Sequence, residues 1–184
     1  MVVVPAAIEG ISLAAAAVPF LQHRWDMHRW ERDHLDGHAP KTDGHAEPLT
    51  VLLPVWNEAT VIKEKLINLA GQDIALSLLI IDSASTDPTL DIARSWLAEH
   101  SEAFASSEIL EMSERKGKTA AVIQALKHLG TSREGLVCMT DADAMLEPGV
   151  LKRLMQWFAD PIVGAVGAAV SYTHLTLPTS RSVG

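Results

Sequence analysis

The chain has 184 residues, 48% of them hydrophobic, which is enough for one domain with a sizeable core. Its formal net charge of -8 argues against a general nucleic-acid binder, which needs a basic surface. The single cysteine, Cys138, excludes an internal disulfide and fits a reducing compartment.

An apolar run over residues 2–21 opens the chain, with Glu9 as its only charge. The run is close to the length of a membrane span, although a charge in mid-span is costly. Arg24, Arg29 and Arg32 follow it and favour placing the downstream part in the cytoplasm. We expect an apolar N-terminal helix that anchors the chain at the cytoplasmic face of a membrane. A helix buried in a cytoplasmic protein is the alternative.

Residues 22–48 are a polar, linker-like segment rich in His, Asp and Arg. Several histidines fall in it without cysteine partners or a regular ligand spacing, so we expect no metal site there. From residue 49 to about residue 170, strand and helix patterns alternate. Short apolar runs predict strands over residues 49–55, 78–81, 107–110 and 135–140, and the last of these is expected to be buried. Helical spacing predicts helices beginning near residues 61, 88, 116 and 148, and a final apolar run covers residues 162–170.

This alternation is typical of an α/β fold, with a mostly parallel sheet and helices on both faces. In such sheets, ligands bind at the carboxyl ends of the strands. Polar side chains follow the predicted strands at these ends, and we expect them to gather on one edge of the sheet: Pro54, Asn57 and Glu58, then Asp82, then Arg115, Gly117 and Lys118, then Asp141 and Asp143.

The pair Asp141 and Asp143 is the most informative feature of the chain. Positions i and i+2 of an extended chain face the same side, so both carboxylates could reach one hard cation. Mg²⁺ typically uses one or two protein carboxylates and keeps its other positions for water and phosphate. A lysine at a helix N-terminus, here Lys118, attracts phosphate. Together these residues predict a site for a nucleoside diphosphate and a metal.

Structural roles remain open for each of these residues. Pro54 can simply end a strand, and Asn57 and Glu58 can begin a helix. The acid pair can be a polar turn after a core strand, and Lys118 can be an ordinary solvated charge.

Five stretches, in this order, resemble the family 2 glycosyltransferases, which have the Rossmann-like GT-A fold. They are residues 51–58 (VLLPVWNE), 80–89 (IIDSASTDPT), 115–121 (RKGKTAA), 140–143 (TDAD) and 158–166 (FADPIVGAV). The resemblance implies a transferase that depends on Mg²⁺ or Mn²⁺. It would move a sugar from a nucleotide-diphosphate donor to a saccharide or lipid-linked acceptor. A UDP-sugar is the expected donor. It places Asp82 at the nucleotide base, Lys118 in the same nucleotide site, and Asp141 and Asp143 at the metal and diphosphate. Pro54, Asn57 and Glu58 complete the predicted donor site.

The chain departs from the family pattern at Ser83, where a second acid is common, and at Ile123, where an asparagine is usual. Both leave the nucleotide preference open. Family members carry the catalytic base and the acceptor-binding elements well after the paired aspartates, so no catalytic residue is assigned here. Residues 49–170 are therefore expected to be the donor-binding half of a GT-A domain. The alternative function is an inactive fragment that at most binds a nucleotide sugar.

Residues 171–184 are expected to be foreign to the domain. The stretch 171–179 (SYTHLTLPT) can be back-translated, codon by codon, into a sequence that resembles a transposon-derived sequencing-library adaptor read in frame. Such segments are excluded from fold reasoning.

Other nucleotide and phosphate chemistries fit less well. A P-loop needs a glycine where Met112 stands. The aspartate pair of haloacid-dehalogenase-like phosphatases lies on the first strand of the domain, usually with Thr or Val where Met145 stands. A nucleotidyltransferase normally has a glycine-rich loop after its first strand, and residues 54–58 (PVWNE) are not one.

Overall fold

The structure is a computed structural model that describes residues 18–19, 21–29, 48–130 and 135–168, and the backbone of residues 171–172. The chain divides into two compact units, Met1–Pro40 and Lys41–Gly184. In the first unit, residues 18–19 and 21–29 are helical and exposed, so part of the predicted linker is helix. Most of the predicted apolar helix over residues 2–21 lies outside the described residues. No helix in the described part of the chain is long and apolar enough to cross a membrane.

The second unit contains a parallel four-stranded sheet. Its strands are β1 (Leu49–Val55), β2 (Leu76–Asp82), β3 (Ser106–Glu111) and β4 (Leu136–Met139), in the spatial order β3-β2-β1-β4. β1 pairs with β2 so that Val55 lies opposite Asp82, and β1 pairs with β4 so that Leu52 lies opposite Met139. All four strands therefore end at the same edge of the sheet, as the alternation predicts.

The described part of this unit also contains four helices: α1 (Ile62–Ala70), α2 (Thr89–Glu99), α3 (Lys118–Leu129) and α4 (Val150–Trp157). Side chains alternate across β1 and β2, and both faces are apolar because both are covered. Residues of α1, α2 and α4 join one buried cluster with Val51 and Leu53. Ala121 and Ala125 of α3 join the other with Leu52 and Leu79. The prediction of an α/β fold with helices on both faces is confirmed.

The structure corrects the predicted burial of the strand over residues 135–140. β4 is an edge strand of the described sheet, and Val137 and Met139 are each 50% exposed. The alternate side chains of β4, Leu136 and Cys138, are partly buried against the cluster that contains Val51 and Leu53. The final apolar run forms no helix or strand in its described part, residues 162–168. Ile162, at its start, is 80% exposed.

Two short strands that follow the main sheet in sequence form a separate pair. β5 (Ala144–Met145) pairs antiparallel with β6 (Ser171–Tyr172), separately from the four-stranded sheet. β6 falls at the start of the segment predicted to be foreign, and residues 173–184 lie outside the described residues. The origin of this segment stays a prediction.

Candidate donor-binding site

A cavity of about 290 Å³ opens at the carboxyl edge of the sheet. Its walls come from the ends of β1 and β2, the start of α3 and the turn after β4. Of the residues predicted to gather at this edge, the structure brings seven to this cavity: Pro54, Glu58, Arg115, Gly117, Lys118, Asp141 and Asp143. Asn57 and Asp82 are not among its lining residues.

The acid pair lies in a turn between β4 and β5, which we call the acid turn (residues 140–144). Ala142 is 3% exposed and points into the core, whereas Asp141 and Asp143 on either side of it line the cavity. The pair is in a turn rather than an extended strand, so its common cavity does not follow from the i, i+2 argument, and its role in binding a metal stays a prediction. Lys118, at the first position of α3, forms an ion pair with Asp141 across the cavity.

The acid turn is supported from beneath by Lys65 of α1. Its side chain is fully buried, and Nζ donates to Thr140 Oγ1 at 2.8 Å and to the carbonyl oxygen of Ala144. Burial lowers the pKa of Lys65 to about 8, although the charges of Cys138 and of the acid pair act in the opposite direction. This contact was not predicted from the sequence.

Two loops, residues 57–59 and 85–89, bind each other at the ends of β1 and β2, and we call them the paired loops. Asn57, in a left-handed conformation with φ 55°, donates its N–H to Ser85 Oγ at 3.0 Å, and its Oδ1 accepts the N–H of Thr86 at 2.8 Å. The N–H of Glu58 donates to Thr89 Oγ1 at 2.8 Å. Asn57 thus joins the two loops, and its predicted part in donor binding stays a prediction.

Asp87 completes the paired loops. Its Oδ2 accepts the N–H of Ala59 at 3.1 Å, and its Oδ1 accepts the N–H and the hydroxyl of Thr89. Burial alone would raise the pKa of Asp87, but these donated hydrogen bonds lower it below the ordinary value. Asp87 Oδ1 thus accepts the first N–H of α2, which begins at Thr89.

Among the residues that the structure describes, two buried polar atoms at the end of β2 have no hydrogen-bond partner. Asp82 is 2% exposed, and its Oδ2 accepts the N–H of Ser85 at 3.0 Å while Oδ1 accepts nothing. Ser83 lines the cavity, is 4% exposed, and its Oγ is also unpartnered. A buried polar group without a partner costs free energy, which a ligand with a matching donor would recover.

Trp56 lines the cavity although it was not among the predicted site residues. The guanidinium carbon of Arg115, which was expected at this edge, lies 3.3 Å from the centre of the Trp56 ring, and both residues line the cavity. The position of Trp56 gave a usable signal, because it is two residues after Pro54.

The donor atoms at the cavity suit a hard divalent cation bound together with a phosphate. Two carboxylates on one wall leave most coordination positions for other oxygen ligands. Within the residues that the structure describes, no group of three or more His, Cys, Asp or Glu side chains could hold a metal by itself. The residues therefore fit a metal that a diphosphate helps to hold. A second cavity of about 330 Å³ adjoins the first, shares Lys118 and Asp141 with it, and is otherwise mainly apolar.

Several solved structures are similar to this chain. A mannosyltransferase of Pyrobaculum calidifontis, PcManGT, solved with GDP-Man and Mn²⁺, is 35% identical with a TM-score of 0.70, over 85% of this chain and 45% of its own. TarS of S. aureus, solved also with UDP, is 25% identical with a TM-score of 0.48, over 57% of this chain. No curated protein sequence matches this chain. The chain thus spans less than half the length of PcManGT.

Residues 50–182 match the family described as glycosyl transferase family 2. The matched region contains every strand and helix of the second unit after the first residue of β1, and it runs into the predicted foreign segment. Because it covers most of the chain, the chain belongs to glycosyl transferase family 2.

Proposed function

We propose that this chain binds the nucleotide-sugar donor of a metal-dependent glycosyltransferase that passes the sugar to a saccharide or lipid-linked acceptor. The observation that carries the proposal is the meeting of Asp141, Asp143 and Lys118 in one cavity at the carboxyl edge of the sheet. Two carboxylates and one ammonium suit a cation and a diphosphate bound together. The family and the complex of PcManGT with GDP-Man and Mn²⁺ support the same assignment.

Each group has a stated task in this proposal. Asp141 and Asp143 hold Mg²⁺ or Mn²⁺, which when bound neutralises the charge that develops on the leaving diphosphate. Lys118 exchanges its ion pair with Asp141 for a contact with a phosphate oxygen at the start of α3. Glu58 and Pro54 line the same cavity as the acid pair.

The nucleotide base belongs, in this proposal, at the ends of β1 and β2. The unpartnered Oδ1 of Asp82 and Oγ of Ser83 can accept hydrogen bonds from the edge of a base, and Trp56 offers an aromatic ring beside them. A UDP-sugar is the donor expected from the sequence. Because PcManGT was solved with GDP-Man, both nucleotides belong in the test.

The cellular setting is also part of the proposal. An anchor over residues 2–21 would hold the domain at the cytoplasmic face of a membrane, where lipid-linked acceptors are available. A cytoplasmic protein without that anchor is the alternative. Partition of the chain, and of a variant lacking residues 2–21, between vesicles and solution separates the two.

Calorimetric titration with UDP and GDP, with and without Mn²⁺, tests donor binding. The control is the double variant Asp141→Ala/Asp143→Ala. Binding of either nucleotide that needs both Mn²⁺ and the acid pair supports the proposal. Binding that is the same in the double variant contradicts it.

A second measurement separates a transferase from a binding module. The purified chain is incubated with UDP- and GDP-sugars, Mn²⁺ and candidate acceptors, and release of nucleoside diphosphate is followed. We expect no release above the level of the double variant, because a base and an acceptor site, worth about 10²–10⁴-fold and about 7–11 kcal/mol respectively, are expected outside the donor half. Release above that level would assign a base to these residues.

A further inference from the structure

The acid turn is closed from beneath by one buried ammonium group. Lys65 Nζ donates to Thr140 Oγ1 and to the carbonyl oxygen of Ala144. Thr140 and Ala144 are the residues immediately before and after the segment that contains Asp141 and Asp143. A single side chain of α1 therefore ties the two ends of the turn together.

Stability alone does not explain an amine at this position. Lys65 is fully buried on the face of α1 that it shares with Ile62, Leu66 and Leu69. Taking a charge out of water is costly, and apolar residues of similar volume often replace buried charged groups without loss of stability. Methionine has nearly the same length and would carry no such cost, so the hydrogen bonds to the acid turn are the distinctive contribution of Lys65.

Asn68 ties the next part of the same segment to α1. Its Nδ2 donates to the carbonyl oxygen of Leu146 at 2.8 Å, and its Oδ1 accepts the N–H of Leu146 at 2.9 Å. This contact lies beyond the acid turn, after β5. Asn68 therefore offers a matched comparison, because it anchors the chain near the acids without spanning the turn that carries them.

We propose that Lys65 is a positioning residue for the divalent cation, because it holds the carboxylates of Asp141 and Asp143 at a fixed spacing. This inference rests on the proposed function, which assigns the cation to that pair. Lys65 acts through Thr140 and Ala144 and makes no contact with the donor.

Charge and position predict opposite results when Lys65 is replaced. The positive charge of Lys65 interacts with both Asp141 and Asp143. Loss of the charge alone would strengthen cation binding, whereas loss of the tie lets the carboxylates move apart and weakens it. The direction of the change therefore separates the two effects.

The test compares Lys65→Met and Asn68→Leu with the wild-type chain. Mn²⁺ affinity is measured by electron paramagnetic resonance at saturating UDP or GDP, beside the melting temperature. Lys65→Met is expected to weaken Mn²⁺ binding about 10- to 100-fold, the range typical of partners just outside a metal's ligands, with an unchanged or higher melting temperature. Asn68→Leu is expected to lower the melting temperature with a smaller change in Mn²⁺ affinity. Stronger Mn²⁺ binding in Lys65→Met, or a weakening no greater than in Asn68→Leu, overturns the proposal.

Hydrogen exchange in the metal-free protein tests the role of Lys65 independently of the proposed function, because it needs no bound metal. The amide of Ala144, which donates to the Asp141 carbonyl at 3.3 Å, reports whether the turn is closed. It should exchange faster in Lys65→Met than in Asn68→Leu. Equal exchange in the two variants would contradict the positioning role of Lys65. A wild-type chain that binds no Mn²⁺ would contradict the proposed function instead. If Lys65→Met does not fold, Thr140→Val removes one of the two ties and is expected to act in the same direction.

Discussion

The paired loops and the acid turn lie at the same edge of the sheet, but their polar side chains have different tasks. In the paired loops, Asn57 Oδ1 and Asp87 Oδ2 each accept a hydrogen bond from a backbone N–H group of the facing loop. In the acid turn, Asp141 and Asp143 face the cavity, while the hydrogen bonds that hold the turn come from α1 beneath it. One region is held by its own motif residues and the other by residues outside its motif.

This difference separates two kinds of motif residue. A side chain whose hydrogen bonds are already made inside the fold contributes mainly to stability, because a ligand would have to break those bonds first. A side chain that is supported by others stays available for a ligand. Substitutions in the paired loops should therefore act first on stability, and substitutions in the acid turn first on binding.

The largest expected effect is that of Asp143→Asn on donor binding. Even partners outside a metal's own ligands are worth about 10–100-fold in affinity, so loss of a ligand should weaken Mn²⁺-dependent nucleotide binding by about 100-fold or more. The chain should still fold, because asparagine has nearly the shape of the aspartate that it replaces at the cavity wall. Calorimetry and denaturant unfolding measure the two quantities, and unaltered binding at saturating Mn²⁺ would place the metal elsewhere.

The next effect, Thr89→Val, concerns stability. Thr89 is fully buried, and its hydroxyl accepts the N–H of Glu58. Valine keeps the shape but leaves that N–H without its partner, which should lower the free energy of unfolding by about 1–3 kcal/mol. Urea unfolding at neutral pH measures the change. If Thr89→Val were fully stable but bound nucleotide much more weakly, the paired loops would have to be assigned to the ligand.

A smaller effect with a characteristic pH dependence is expected for Asp87→Asn. Hydrogen bonds lower the pKa of Asp87 in the folded chain below its unfolded value, so the folded state holds fewer protons in that range. The resulting stability is fully present above the ordinary carboxyl pKa and is lost as the pH falls through the lowered one. The wild-type advantage over Asp87→Asn should therefore shrink in acid. Unfolding measured between neutral pH and pH 3 checks this, and an advantage that grows in acid would reverse the assignment.

The smallest effect is expected away from both regions. Arg94 pairs with Glu111, but the two side chains are 48% and 52% exposed. Exposed ion pairs contribute about 0–1 kcal/mol, and salt screens them. Arg94→Ala should leave nucleotide binding unchanged and shift the melting temperature only slightly. It is the matched surface control for the three substitutions above.

Much of the site follows from the sequence because strand ends are local features. Short apolar runs give the four strands of the main sheet, and parallel strands bring their carboxyl ends to one edge. That argument places Lys118, Asp141 and Asp143 together, and the structure agrees. It could not tell Asn57, which is used inside the fold, from Glu58, which lines the cavity, because both follow the same strand.

Lys65 shows a signal that the sequence contained but that periodicity alone does not interpret. Ile62, Leu66 and Leu69 follow the i, i+4, i+7 spacing of a buried helix face, and Lys65 stands at the i+3 position of the same face. A lysine at that position predicts a buried amine, since the apolar face of the helix must be covered. Its partners, Thr140 and Ala144, lie far along the chain, so the sequence cannot name them.

The sequence by itself determined the α/β alternation and the placement of polar residues at strand ends, because these depend on the local periods of strands and helices. Only the tertiary structure decided which polar groups are already bonded, which are unpartnered and which strand lies at an edge. Those properties depend on contacts between distant segments. Asp82 illustrates the division: its position at the end of β2 is written in the sequence, whereas the unpartnered Oδ1 arises from the loops packed around it.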